Sequence, residues 1–108
     1  MRTQLFVREG QAHVTYGENR VLFEKGKNPT PVHYLEIAVM GCIGLGVVSY
    51  LKEKEIGNPF SDISVLISND TVKIICRCDD MFKTDFEALV SGCFVSERLA
   101  FKKEVKFL

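Results

Sequence analysis

Hydrophobic residues in the first part of the chain alternate with polar ones, which is the pattern of half-buried β-strands. The alternating positions fall in three short runs: Leu5 and Val7, then Ala12, Val14 and Tyr16, then residues 21–23. Residues 9–10, 17–19 and 25–28 separate these runs and have the glycine-containing, polar composition of turns. The pattern therefore predicts an N-terminal antiparallel β-meander.

The longest apolar stretch follows this meander and predicts a long central helix. Residues 28–31 read Asn-Pro-Thr-Pro, which ends the strand pattern, offers Thr30 as the N-cap and places Pro31 at the first helical position. We expect the helix to run to about Glu55 and to stop at the Gly-Asn-Pro of residues 57–59. Its apolar run, residues 37–51, is shorter than the roughly 20 residues of a membrane span, so we interpret it as a buried core helix.

Three glycines, Gly41, Gly44 and Gly46, interrupt this helix. Each costs roughly 1 kcal/mol of helix propensity relative to alanine. Such a cost is usually accepted only where another backbone approaches closely, so we expect a second helix to pack there.

The second half of the chain predicts a β-hairpin, another helix and a terminal strand. Residues 63–67 and 71–76 are β-rich runs joined through a Ser-Asn-Asp turn. Residues 84–87, Thr-Asp-Phe-Glu, fit a capping box that starts the second helix, and Gly92 fits its C-terminal cap. A short helical turn through Leu99 and a strand over residues 104–108 follow. The prediction is one α+β domain over residues 1–108.

The composition of the chain argues against several classes of function. Lys plus Arg and Asp plus Glu both number 14 in the 108 residues, and no basic stripe is interleaved with aromatic residues, so a nucleic-acid partner is not expected. The N-terminal residues lack the apolar run of a secretory signal, which predicts a cytoplasmic protein whose four cysteines are reduced. We expect no membrane association, and the small size favours a homodimer.

Two cysteines far apart in the sequence are the candidate catalytic residues. Cys42 lies in the apolar helix, and Cys93 follows Gly92 at a predicted helix start. Taken alone, Cys42 also fits an inert core cysteine, because burial raises the pKa of a thiol unless a cation or a helix terminus offsets it. Cys93 could be close to exposed amide groups of the following helix, and a structural role fits it equally well.

The remaining candidate ligands favour packing over metal binding. Cys76 and Cys78 lie on one face of a predicted strand with Val72 and Ile74, and no second pair of ligands at zinc spacing accompanies them. His13 and His33 are isolated in the sequence, and we interpret both as surface or loop residues. No metal and no cofactor are expected.

Several motifs together resemble the OsmC/Ohr family. Residues 30–54 resemble its central helix, with a proline at the start, a Gly-Cys at Gly41 and Cys42, and lysines at the end. Residues 92–99, Gly-Cys-Phe-Val-Ser-Glu-Arg-Leu, resemble its second motif, Gly-Cys-Pro-Val-Ser followed by Leu. Residues 8–10, Arg-Glu-Gly, resemble the Arg-Asp-Gly of its first hairpin. The order of predicted elements agrees over the whole chain.

This resemblance implies an OsmC-like fold, an intertwined homodimer and a thiol-dependent peroxidase that reduces small organic hydroperoxides. By position, Cys42 would be the peroxidatic thiol, Cys93 the resolving thiol, and Arg8 the cation that keeps Cys42 ionised. The resulting disulfide would be recycled by a thiol reductant that the sequence does not identify.

Two positions depart from the family pattern and keep an alternative open. Val32 and His33 stand where the family has a glutamate, and Phe94 stands where it has a proline. These departures favour a non-catalytic binding or interaction protein of the same fold, whose cysteines are structural. The presence of both cysteines in their motifs favours the enzyme.

Overall fold

The computed structural model describes residues 2–108, and the chain forms two compact units, Met1–Tyr34 and Leu35–Leu108. The first unit contains strands β1 (Thr3–Arg8), β2 (Gln11–Tyr16) and β3 (Asn19–Glu24), and helix α1 (Pro31–Lys54) begins at its end. The second unit contains most of α1 and then β4 (Ser61–Ser68), β5 (Thr71–Arg77), α2 (Lys83–Ser91), α3 (Phe94–Arg98) and β6 (Lys102–Phe107). A 3-10 turn, Asp80–Phe82, precedes α2. The predicted α+β element order is confirmed.

The first unit is the predicted meander, with β2 paired antiparallel to both β1 and β3. Glu9 (φ 51°) and Gly10 (φ 77°) form the two-residue turn between β1 and β2, and two positive φ values suit the twist of a tight hairpin. His13 in β2 is 9% exposed and stacks on Phe6 with a centroid distance of 4.7 Å. The prediction of a surface or loop histidine is therefore wrong, because this residue lies within β2 and the ring of Phe6 on β1 covers it.

The side chain of His33 caps the start of α1. The Thr30 backbone N–H donates to Nδ1 of His33 over 2.9 Å, and the Thr30 hydroxyl lies 3.2 Å from the same atom. His33 thus occupies the position that Glu or Gln takes in a capping box. The expected start at Thr30 and Pro31 is confirmed, whereas His33 belongs to the first helical turn and not to a loop.

Helix α1 has the predicted extent but is less buried than the sequence predicted. It has 24 residues, and by length and composition alone it could cross a membrane, a test that core helices of soluble proteins also pass. Val39, Ile43 and Val47 form its buried stripe. The opposite side carries an exposed apolar stripe, formed by Ile37, Gly41, Gly44, Leu45 and Val48. Within one chain, the interpretation as a buried core helix therefore holds for one face of α1.

The second unit contains a three-stranded sheet with β5 in the middle. Strand β4 pairs antiparallel to β5, and β6 pairs parallel to it. A parallel partner requires a crossover connection, which α2 and α3 provide. Val72, Ile74 and Cys76 alternate along β5 and are fully buried, as their period-two spacing predicted.

Aromatic side chains fill the core between α2 and the sheet. Phe86 of α2 is fully buried, with its ring centroid 5.2 Å from that of Phe60 and 6.1 Å from that of Phe107. The predicted capping box at residues 84–87 is wrong, since α2 begins at Lys83 and no side chain caps it. The preceding 3-10 turn leads directly into this helix. Gly92 is the C-cap, as predicted.

Substitution of Phe86 by alanine tests this core. We expect Phe86→Ala to lower the free energy of unfolding by about 3–5 kcal/mol, because it leaves a cavity beside the rings of Phe60 and Phe107. Phe94→Ala is the matched control: Phe94 is 61% exposed and contacts the Arg98 guanidinium, so its loss should cost less than about 1 kcal/mol. Urea unfolding at one fixed protein concentration compares the variants, and equal midpoints would contradict this account of the core.

Candidate thiol site

The face of α1 that carries Cys42 lies against α2. A Cβ atom placed at Gly46, one turn after Cys42, would lie 3.5 Å from Leu89 Cδ2. One turn further, the Tyr50 hydroxyl donates to Asp85 Oδ2 over 2.7 Å. Helix α2 thus packs along this face, which confirms the expected helix contact at Gly46. The other two helix glycines have no heavy atom within 4 Å of their Cβ positions.

Cys93 lies in the tight connection between α2 and α3 and is 1% exposed. Its backbone N–H donates to the Val90 carbonyl over 3.0 Å. Its own carbonyl accepts hydrogen bonds from the Glu97 N–H at 3.1 Å and from the Ser96 hydroxyl at 3.3 Å. These bonds fix the backbone at Cys93, and its position as the N-cap of α3 places the amides of Phe94 and Val95 immediately after it.

The structure brings Cys42 and this connection together, and the pKa of the half-buried Cys42 thiol is lowered. The largest cause is hydrogen bonding from the Val95 backbone N–H, while burial acts in the opposite direction. The Cys93 thiol and the Phe94 N–H also lower the pKa by hydrogen bonding to the thiolate. Donors that face the sulfur stabilise its anion more than burial destabilises it, so the thiolate fraction at neutral pH is increased.

The amide groups after Cys93 therefore act on a different thiol from the one expected. From sequence they were assigned to Cys93, which follows Gly92 directly, whereas the structure directs them to Cys42 on α1. The amide groups are the ones that the sequence predicts, but they act on Cys42. The sequence does not predict this thiol as their target, because the contact joins residues about fifty positions apart in the chain.

Lys103 of β6 is the cation beside this site. Its positive charge also lowers the pKa of Cys42. No sequence motif pointed to Lys103, since it is one of several lysines near the C-terminus. Arg8, the cation expected from the family resemblance, is exposed at the end of β1 in the first unit. Its role toward Cys42 stays a prediction.

The other two cysteines form a separate pair with the opposite behaviour. Burial, and after it the neighbouring Cys78 thiol, together raise the pKa of the Cys76 thiol to about 11. Both pack with the hydrophobic core, as their strand spacing predicted. Within residues 2–108, no group of three or more His, Cys, Asp or Glu side chains could hold a metal ion.

Comparison with solved structures places this arrangement in a known fold. A candidate osmotic stress induced and detoxification response protein from Psychrobacter arcticus matches with a TM-score of 0.74 at 12% identity, over 98% of this chain and 94% of that one. The organic hydroperoxide resistance protein OsmC from Legionella pneumophila matches with a TM-score of 0.57 at 15% identity, over 99% and 95%. The chain has an OsmC/Ohr-like fold.

A second organic hydroperoxide resistance protein, OhrB of Bacillus subtilis, matches with a TM-score of 0.56 at 15% identity, over 99% of this chain and 96% of that one. No protein-family model and no curated protein sequence matches the chain. The expected fold class is thus confirmed by structural similarity, while the identities are too low to carry over the function of any one neighbour.

Removal of a single N–H group tests the hydrogen bonding to Cys42. We expect Phe94→Pro to raise the pKa of Cys42 and to slow its alkylation by iodoacetamide at pH 7, because proline has no N–H to donate. The first position of α3 tolerates proline, and Cys93 already has the extended backbone (φ −66°, ψ 103°) that precedes proline.

Phe94→Ala is the control, since it removes the same ring but keeps the N–H. The rate is followed by mass spectrometry of the peptide that contains Cys42. Equal alkylation rates for the proline and alanine variants would show that the Phe94 amide has no influence on this thiol.

Proposed function

We propose that the protein is a thiol-dependent peroxidase that reduces organic hydroperoxides through Cys42 and Cys93. The observation that carries the proposal is the convergence of two backbone N–H groups and the Cys93 thiol on the Cys42 thiol, with a net lowering of its pKa. A lowered pKa together with partial exposure is what a reactive cysteine requires. A cysteine that only packs needs neither.

In the first step, the Cys42 thiolate attacks the distal oxygen of the hydroperoxide. The O–O bond breaks, the alkoxide takes a proton and leaves as an alcohol, and Cys42 becomes a sulfenic acid. The organic hydroperoxide class is suggested by the names of the Legionella and Bacillus neighbours.

In the second step, the Cys93 sulfur attacks the sulfenic sulfur of Cys42. An S–S bond forms and water leaves, carrying the sulfenic oxygen. The contribution of the Cys93 thiol to the lowered pKa of Cys42 supports this pairing. An external thiol must then supply two electrons and two protons to restore both cysteines. Arg8 remains in the proposal as a further cation for the Cys42 thiolate.

Peroxide treatment followed by mass spectrometry tests this function. With stoichiometric cumene hydroperoxide, we expect the wild type to form a Cys42–Cys93 disulfide. Cys93→Ser should accumulate sulfinic acid at Cys42 under excess oxidant, because no thiol traps the sulfenic acid. Cys42→Ser should consume no peroxide.

Cys78→Ser is the control, since Cys78 is also half-buried but belongs to the other cysteine pair. It should form the disulfide as the wild type does. If both candidate thiols stay free and no peroxide is lost, the enzyme proposal is wrong, and the non-catalytic binding or interaction protein is favoured instead.

We further propose that the protein works as a homodimer in which a second copy covers the exposed stripe of α1. The large residues of this stripe are well exposed: Ile37 by 55%, Leu45 by 70% and Val48 by 59%. Gly41 and Gly44 lie among them with open space at their Cβ positions, which would let another helix approach closely. Such a contiguous apolar face on a small domain is typical of an interface.

Gly44→Leu tests the dimer. Within one chain the new side chain meets open space and improves helix propensity by roughly 1 kcal/mol, so a monomer should be unharmed. In a packed dimer it should overfill the contact at a cost of roughly 1–3 kcal/mol or more and yield monomer or aggregate. Sedimentation velocity with Gly44→Ala as the milder control measures this, and a dimeric Gly44→Leu protein with unchanged melting would refute the contact.

A further inference from the structure

Lys103 occupies a position in β6 where an apolar residue is expected. The strand alternates, with Lys103, Val105 and Phe107 half-buried and the residues between them exposed. The Lys103 side chain is only 19% exposed, whereas that of the adjacent Lys102 is 78% exposed. A lysine on the inward face costs desolvation of its ammonium group unless polar partners compensate for it.

Three partners surround the ammonium group. Lys103 Nζ donates to the Ser91 carbonyl over 3.0 Å and lies 3.5 Å from the Val90 carbonyl, both at the C-terminal end of α2. It also donates to Glu97 Oε2 on α3 over 3.0 Å. The carbonyl groups at a helix C-terminus have no partner within the helix, so a cation is favourable there.

These bonds connect the two segments on either side of Cys93. Gly92 and Cys93 are the only residues between α2 and α3, and Lys103 contacts the helix before them and the helix after them. The thiol of Cys93 and the amides of Phe94 and Val95 belong to the same short connection. A side chain that holds α2 and α3 together therefore also holds the groups that face Cys42.

We infer that Lys103 is a positioning residue of the thiol site: its ammonium group ties α2 to α3, keeps the donors of this connection against the Cys42 sulfur, and adds a positive charge beside it. The functional role of Lys103 rests on the peroxidase proposed above. The effect of Lys103 on the Cys42 thiol is independent of that proposal, because it can be measured without any peroxide.

The rate of Cys42 alkylation across pH tests this inference on the full chain. Lys103→Met keeps most of the side-chain length but removes the charge and all three hydrogen bonds. We expect its Cys42 peptide to react with iodoacetamide at least about twofold more slowly at pH 7 than that of the wild type, because less of the thiol is ionised. Lys102→Met, on the outward face of the same strand, should react as the wild type does.

Glu97→Gln separates a charge effect from a loss of structure. The amide oxygen can still accept the bond from Lys103, but the counter-charge is gone, so the field of the ammonium at Cys42 is stronger. We expect faster alkylation at pH 7, opposite in direction to Lys103→Met. A purely structural role would slow both variants or leave Glu97→Gln unchanged, and either result overturns the inference. Glu97 is 69% exposed, so this variant should fold even if Lys103→Met does not.

These experiments can contradict the peroxidase proposal and the positioning role of Lys103 independently of each other. If peroxide leaves both thiols free while the Lys103 and Glu97 variants shift alkylation in opposite directions, the peroxidase is wrong and the role of Lys103 at Cys42 stands. If the disulfide forms but Lys103→Met alkylates at the wild-type rate, the positioning role is wrong and the peroxidase stands.

Discussion

Burial of Val39, Ile43 and Val47 on one side of α1 determines the direction of every other side chain on that helix. Successive residues are rotated by about 100°, so Cys42 is held at the edge of the buried stripe, and Gly46 one turn later lies on the same edge. Helix α2 packs there, with Leu89 Cδ2 at van der Waals distance from the Cβ position of Gly46. The thiol is thus neither in the centre of the core nor free in solvent, and it meets the residues that follow α2.

Cys42 and Cys76 illustrate how neighbouring groups determine the pKa of a thiol that has lost solvation. Cys76 is surrounded by apolar side chains and a second thiol, and its pKa rises to about 11. Cys42 also loses solvation, yet its pKa falls because the Val95 amide, the Cys93 thiol and the Phe94 amide donate toward it. Burial alone would make both thiols inert. The difference lies in the donors, which come from a segment remote in sequence.

The parallel pairing of β5 and β6 has a direct consequence for this site. A parallel pair needs a crossover, and here the crossover consists of α2, the Gly92–Cys93 connection and α3. Because β6 follows this crossover after a few residues, its first inward-facing residue, Lys103, reaches the connection that contains Cys93. Sheet topology therefore brings together the Cys93 thiol, the amide donors and the cation.

Local patterns in the sequence were sufficient to predict the order of elements, because they are short-range signals. These patterns are the period-two alternation in the meander, the Asn-Pro-Thr-Pro start of α1 and Gly92 at the end of α2. The paired cysteine motifs were enough to single out Cys42 and Cys93. What the sequence could not determine depends on contacts between distant residues. The burial of His13 depends on its stacking against Phe6 of the neighbouring strand. The direction of the Phe94 and Val95 amides toward Cys42 follows from how α1 and the crossover pack, and so does the presence of Lys103 of β6 beside that thiol. Each residue looks ordinary in its local context, and only the tertiary structure decides which other residues it meets.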